Sequence, residues 1–99
     1  TTAKRRALTT CANALIELNR AVAVSRAQGA QAALPLVDAL LAASTLQGYA
    51  PLHAVHGDVL EQLGHRDAAH AAFLRAIKHT RNAHERAVLL ARADACLRA

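Results

Sequence analysis

The feature that most restricts this chain is a set of small residues at fixed intervals in "HGDVLEQLGHRDAAHAAFLRA", residues 56–76. Gly57 interrupts an apolar helical pattern, Gly64 follows seven residues later, and Ala69, Phe73 and Ala76 come next. Burial of hydrophobic area alone gives no reason to put glycine and alanine there. Small side chains at helical spacing let two backbones approach closely, and one aromatic ring then fills the remaining gap. Gly64 supplies the turn, because glycine adopts positive φ without steric cost at a helix end. The segment predicts two antiparallel helices pressed together along Gly57, Ala69, Phe73 and Ala76.

The rest of the chain follows the same plan. Its 99 residues are rich in alanine and leucine, with Tyr49 and Phe73 as the aromatic residues, a composition that favours helix throughout and allows one domain at most. Leu15, Leu18, Val22 and Ser25 form a stripe at helical spacing, widened by Ile16 and Ala23, which predicts a helix over 13–28. Asn13 is the expected N-cap, and Gly29 the expected C′ residue. A helix over 30–43 follows, anchored by Val37, Leu40 and Leu41, with Pro35 expected to kink it or delay its start. "STLQGYAP" is a break, and helices are expected over 52–63, 66–79 and 83–97. Asn82 with Glu85 forms a capping box for the last of these. A partial helix is expected before residue 13, and a pattern already under way at Thr1 points to a fragment of a longer protein.

Several function classes are poorly served. The formal charge is +5, yet the arginines are scattered apart from Lys4-Arg5-Arg6, and aromatic rings on which bases could stack are scarce. The chain is therefore expected to bind DNA weakly and without sequence preference. Cys11 and Cys96 are read as buried thiols rather than as a bridge between the terminal helices. His53 and His56 have a spacing that can place two imidazoles on a metal, but no third ligand is set by sequence, so structural histidines are preferred and no metal or cofactor is assigned. No nucleophile–base pattern, phosphate loop or paired carboxylates point to an enzyme. There is no membrane span and no signal-peptide pattern, and a cytoplasmic location is expected.

Gly29 and Gly64 stand 35 residues apart, close to the tetratricopeptide period of about 34 residues. The second pair resembles that repeat closely: Gly57, Gly64, Ala69, Phe73 and Ala76 occupy its small, turn, small, aromatic and small positions. His53 and His56 depart from its usual large apolar residues, and Arg81 stands where it ends in proline. The first pair fits less well, with Val22 at the small position and a one-residue slip that places Ala33 and Val37. The expected fold is all-α, with about two tetratricopeptide-like antiparallel pairs and a C-terminal capping helix in a single domain over 1–99.

A narrower resemblance rests on "ELNRAVAV" (Glu17 to Val24), the turn at Gly29, Tyr49 ahead of Leu52-His53-Ala54, and "AAHAAFLRAI…ERAVLLARADA". Together these look like the C-terminal extension of extracytoplasmic-function RNA polymerase sigma factors, over roughly residues 15–97. The resemblance implies a bacterial accessory domain that modulates transcription initiation. Its implied partners are the sigma regions of the same chain or core RNA polymerase, while promoter contacts lie in other regions. Asn19, Arg20, Arg26 and His53 are the candidate partner-binding residues, on first helices expected to line a concave face. The local alternative has Arg20 pairing with Glu17 or Asp38. A tetratricopeptide adaptor that binds a peptide is the rival reading.

Overall fold

The computed structural model describes residues 2–43 and 48–98, with side chains from Asn13 onward. Five helices account for nearly all of them: α1 (Thr2–Gln28), α2 (Ala30–Ala42), α3 (Ala50–Gln62), α4 (Arg66–His79) and α5 (Ala83–Leu97). Among the described residues there is no strand. The fold is all-α and built of adjacent helix pairs, compatible with a tetratricopeptide-like architecture. Two compact units, Thr1–Gln47 and Gly48–Ala99, divide the helices as α1–α2 and α3–α4–α5.

In the first unit the helix expected from Asn13 begins at Thr2 instead, so Asn13 is an exposed interior residue and not a cap. The reason is local. Residues 2–12 contain no glycine or proline, and a solvent-facing asparagine costs a helix only about 0.7 kcal/mol, too little to stop it. The 27-residue helix is about 40 Å long. Its buried face runs through Ala14, Leu18 and Ala21, while Ile16 is 62% exposed and Ala23 is also exposed. The apolar stripe is therefore rotated from the one periodicity suggested. On α2 the buried residues are Ala30, Ala33, Val37 and Leu40, and Leu41 is half-buried.

Gly29 joins these helices by itself. Its N–H still donates to the Ser25 carbonyl at 3.0 Å, yet its φ of 94° and ψ of 167° place it outside the expected left-handed C′ geometry. That region of backbone space belongs almost entirely to glycine. Pro35 lies inside α2 and does not delay its start. Pro35 and Gln31, whose carbonyl would otherwise accept the missing fourth-neighbour bond, are both exposed, so water can reach the group left over.

In the second unit α3 opens at Ala50 rather than at Leu52. The Leu52 N–H donates to the Tyr49 carbonyl at 3.1 Å, and Pro51 stands in the first turn, where its missing N–H removes nothing from the helix. The helix closes on Gly64 at φ 82°. The Gly64 N–H donates to Glu61 O at 3.0 Å and the His65 N–H to Leu60 O at 2.9 Å, the two bonds of a Schellman motif. Phe73 and Ala69, Ala72 and Ala76 of α4 are fully buried. A Cβ built on Gly57 would lie 2.7 Å from Phe73 Cε1, so the ring rests directly on the α3 backbone. Burying such a ring contributes about 1.5–3 kcal/mol, available here only because residue 57 has no side chain.

α5 packs antiparallel against α4. The His70 Nδ1 lies 2.9 Å from the Ala93 carbonyl, and an Arg66 N–H donates to the Arg98 carbonyl at 3.0 Å. Asn82 caps α5 by accepting from the Glu85 N–H at 3.0 Å. The reciprocal half of the expected capping box is absent: Glu85 Oε2 accepts instead from the Thr80 hydroxyl at 3.2 Å. Thr80 is buried, and its carbonyl accepts from Arg86 at 2.9 Å, so the side chains of the first turn secure the α4–α5 connection.

Candidate functional site

Both packed against α4, α3 and α5 run parallel, and residues about one repeat apart face each other. Asp58 Oδ1 accepts from Arg92 at 2.7 Å, and Cys96 Sγ donates to Glu61 Oε2 at 3.8 Å, pairs separated by 34 and 35 residues. Arg92 also approaches Glu61 Oε2 at 3.5 Å and sits 4.7 Å from the centroid of the Phe73 ring. The second Asp58 oxygen accepts from Gln62 at 2.9 Å. One guanidinium thus ties α3, α4 and α5 together. Its carboxylate partners are half-exposed, so each ion pair contributes about 0.2–1 kcal/mol, and the contact with the ring about as much again. Burial pushes the Cys96 thiol pKa up, and the Glu61 carboxylate beside it adds to the effect.

The N-terminal parts of the same two helices also face each other. Between them lies a cavity of about 300 Å³ with an almost wholly apolar lining. Ala50, Pro51 and Ala54 form the α3 wall, and His84, Val88 and Leu89 the α5 wall, with Thr80 and Glu85 at the polar edge. Alanines on the α3 wall leave the space that larger residues would fill. Val88 remains 48% exposed although it lines the cavity, so the groove is open to solvent.

The residues singled out from the sequence are distributed differently. Asn19, Arg20 and Arg26 lie exposed on α1 in the first unit. Arg20 makes the local pair with Glu17 at 3.7 Å, with both side chains largely in solvent. His53 is the exception among the partner-binding candidates. It is 2% exposed and stacks on His79 with ring centroids 5.5 Å apart, so its ring is buried and not presented to a partner. Its place on the packing side of α3 follows from standing one helical turn before Gly57. Tyr49 stands at the start of α3, 38% exposed. Cys96 is a free, buried thiol, and the Cys11 side chain lies outside those described. Among the described residues no three His, Cys, Asp or Glu side chains converge on a common point that could hold a metal. No described helix is long and apolar enough to cross a membrane.

The groove escaped the sequence reading, although a signal for it was present. An interval one residue shorter than the 35 that separate Gly29 from Gly64 relates Asp58 to Arg92 and Ala54 to Val88. Applying it from α3 onto α5 would have placed these walls opposite each other.

The chain is 42% identical over 80 residues to an uncharacterized protein of Rhizobium meliloti (strain 1021), a stretch covering 81% of this chain and 18% of that protein. More than four-fifths of the relative thus lies outside the match. No family model matches the chain, and no solved structure does.

Proposed function

We propose that this chain is a C-terminal accessory domain of an extracytoplasmic-function sigma factor, acting in the bacterial cytoplasm through protein contacts and without catalysis of its own. The observation that carries the reading is the division of labour within Glu17 to Val24. Leu18 and Ala21 are buried, which explains them as packing, whereas Asn19 and Arg20 face solvent, Arg20 with a solvent-exposed local pair to Glu17 at 3.7 Å. A segment of that sort packs through one face and leaves the other free to meet a partner. The small share of a much longer bacterial relative that the matching stretch covers, 18%, agrees with an accessory module attached to other regions. The implied partners are the sigma regions of the same chain or core RNA polymerase, with promoter DNA contacted elsewhere.

The test is transcription from the cognate promoter by the full-length protein. Deletion of residues 15–97 is expected to impair it most, and charge reversal by Arg20→Glu or Arg26→Glu to lower it while melting stays nearly unchanged. Transcription by the deleted protein equal to that of the intact one would end this reading. The rival, a tetratricopeptide adaptor in another protein, is favoured by the open α3–α5 groove. Sigma regions encoded immediately upstream would decide for the first reading, and any other fusion for the second.

A further inference from the structure

We infer that the edge of the α4–α5 pair turned away from α3 is a self-association surface, where a second copy of this chain docks about a two-fold axis at Leu90. The inference goes beyond the accessory-domain reading and does not depend on it. Leu74, Leu90 and Leu97 are 44%, 48% and 59% exposed, while the other leucines of α3, α4 and α5 and the turns between them are buried or half-buried. Helical geometry puts the three on one edge. Leu90 and Leu97 stand three residues before and four after Ala93, a buried residue whose carbonyl lies 2.9 Å from His70 Nδ1 of α4. Leu74 follows His70 by one turn, on the same side of α4. Leu90 is also two residues from Arg92, which reaches Asp58 on α3, and helical residues at that spacing point in nearly opposite directions.

Charge identifies the occupant. Lys78 and Asp94 are both exposed, and neither has an ion-pair or hydrogen-bond partner among the described residues. The contact of Arg86 with the Thr80 carbonyl sets Lys78 level with the first turns of α5, so Leu90 stands midway along the edge between Lys78 and Asp94. A two-fold axis at Leu90 runs the two α5 helices antiparallel and brings Lys78 of each copy level with Asp94 of the other. The leucines then cover one another, and both unpaired charges gain their opposite. The remaining charges agree with this arrangement. Arg81 and Arg86 outnumber Glu85 at the Lys78 end, whereas Asp67 and Asp94 balance Arg66 and Arg98 at the other. Ala87 and Ala91, exposed on either side of Leu90, keep the surface low enough for two helices to approach closely. The result is α4 and α5 of both copies packed as four helices, an assembly that closes at two copies. A partner carrying one sign of charge would satisfy Lys78 or Asp94 and repel the other. A nucleic acid would also leave the leucines uncovered.

The experiment is sedimentation velocity of the 99-residue chain over a range of concentrations, with circular dichroism of each variant as the check on folding. A reversible dimer with a micromolar Kd is expected. Leu90→Asp is expected to weaken it tenfold or more, and Val88→Asp, on the cavity side of α5, to leave it unchanged. Lys78→Asp and Asp94→Lys are each expected to weaken it about fivefold by setting like charges against each other. The variant carrying both exchanges is expected to return to within twofold of the unsubstituted chain, because the pair is restored with its signs reversed. A chain that stays monomeric at millimolar concentration would overturn the proposal, as would assembly that grows past two copies. So would an unaltered Kd for a folded Leu90→Asp, loss of the dimer in a folded Val88→Asp, or a double exchange no better than its single members.

Discussion

The α1–α2 and α3–α4 pairs are each joined at a glycine, and they differ in what their helices bury. The first buries Ala14, Leu18 and Ala21 of α1 and Ala30, Ala33, Val37 and Leu40 of α2, with no aromatic among the described residues of that unit. The second brings one backbone against one ring, Gly57 beneath Phe73, and sets α5 and Arg92 over the other side. A surface made of several small and medium side chains distributes its packing energy. A surface centred on one ring concentrates it. Single substitutions should therefore do more damage in the second unit, and each experiment below tests that asymmetry.

Phe73→Ala should have the largest effect, about 3–5 kcal/mol, because it removes a fully buried ring and leaves a cavity. The same change takes away the face over which Arg92 sits. Leu18→Ala in the first unit should cost less, toward the lower end of the about 2–5 kcal/mol usual for leucine truncation, because alanines already surround it in sequence. Urea titrations followed by circular dichroism give both values, and a larger loss from Leu18→Ala would reverse the comparison. Gly57→Leu comes next, at about 1–3 kcal/mol or more, since even its first side-chain atom would collide with the Phe73 ring. An unchanged melting temperature in that variant would mean that the helices do not meet there.

The two turn glycines sharpen the comparison in the opposite direction. Neither position is crowded: a Cβ at Gly29 or Gly64 meets nothing within 4 Å, so any cost of substitution lies in the backbone. The Schellman geometry at Gly64 tolerates asparagine, and Gly64→Asn should cost no more than about 1 kcal/mol. The φ and ψ of Gly29 lie where other residues are rarely found, and Gly29→Asn should cost about 1–3 kcal/mol. Equal melting temperatures for the two variants would remove the distinction between the turns.

How much of this was legible in the sequence depended on the kind of signal. Gly57, Gly64 and Phe73 stood out because glycine and a lone aromatic ring in an alanine-rich helix have few other uses. Asn13 misled because a cap residue is a weak preference, and a tract of good helix formers before it overrode that preference. His53 misled because histidine reads as polar, whereas its register on α3 buries it. Ile16 shows the related error for apolar residues: the stripe could be rotated without spoiling its periodicity. The groove needed information that no local window holds. Its walls lie about 34 residues apart, and what defines it is the smallness of Ala50 and Ala54, which by itself looks like ordinary helix composition.

The smallest expected effect uses pH to single out the second unit. Cys96 is buried on α5, and its thiol pKa is raised above the ordinary 9.0 first by burial and then by the neighbouring Glu61 carboxylate. The folded chain consequently keeps the Cys96 proton at a pH where the unfolded chain has begun to lose it. When the native state holds more protons, stability falls as pH rises. The contribution is fully present below pH 9, declines above it, and is lost once pH passes the folded-state value. Cys96→Ala cannot show this decline, so the stability advantage of the unsubstituted chain over that variant should shrink as pH is raised from 7 past 9. Every other residue is common to both proteins and drops out of the difference. Urea midpoints measured in parallel across that range provide the check. A difference that stays constant with pH would mean that the Cys96 thiol meets the same surroundings folded and unfolded, and that its contact with Glu61 does not persist in solution.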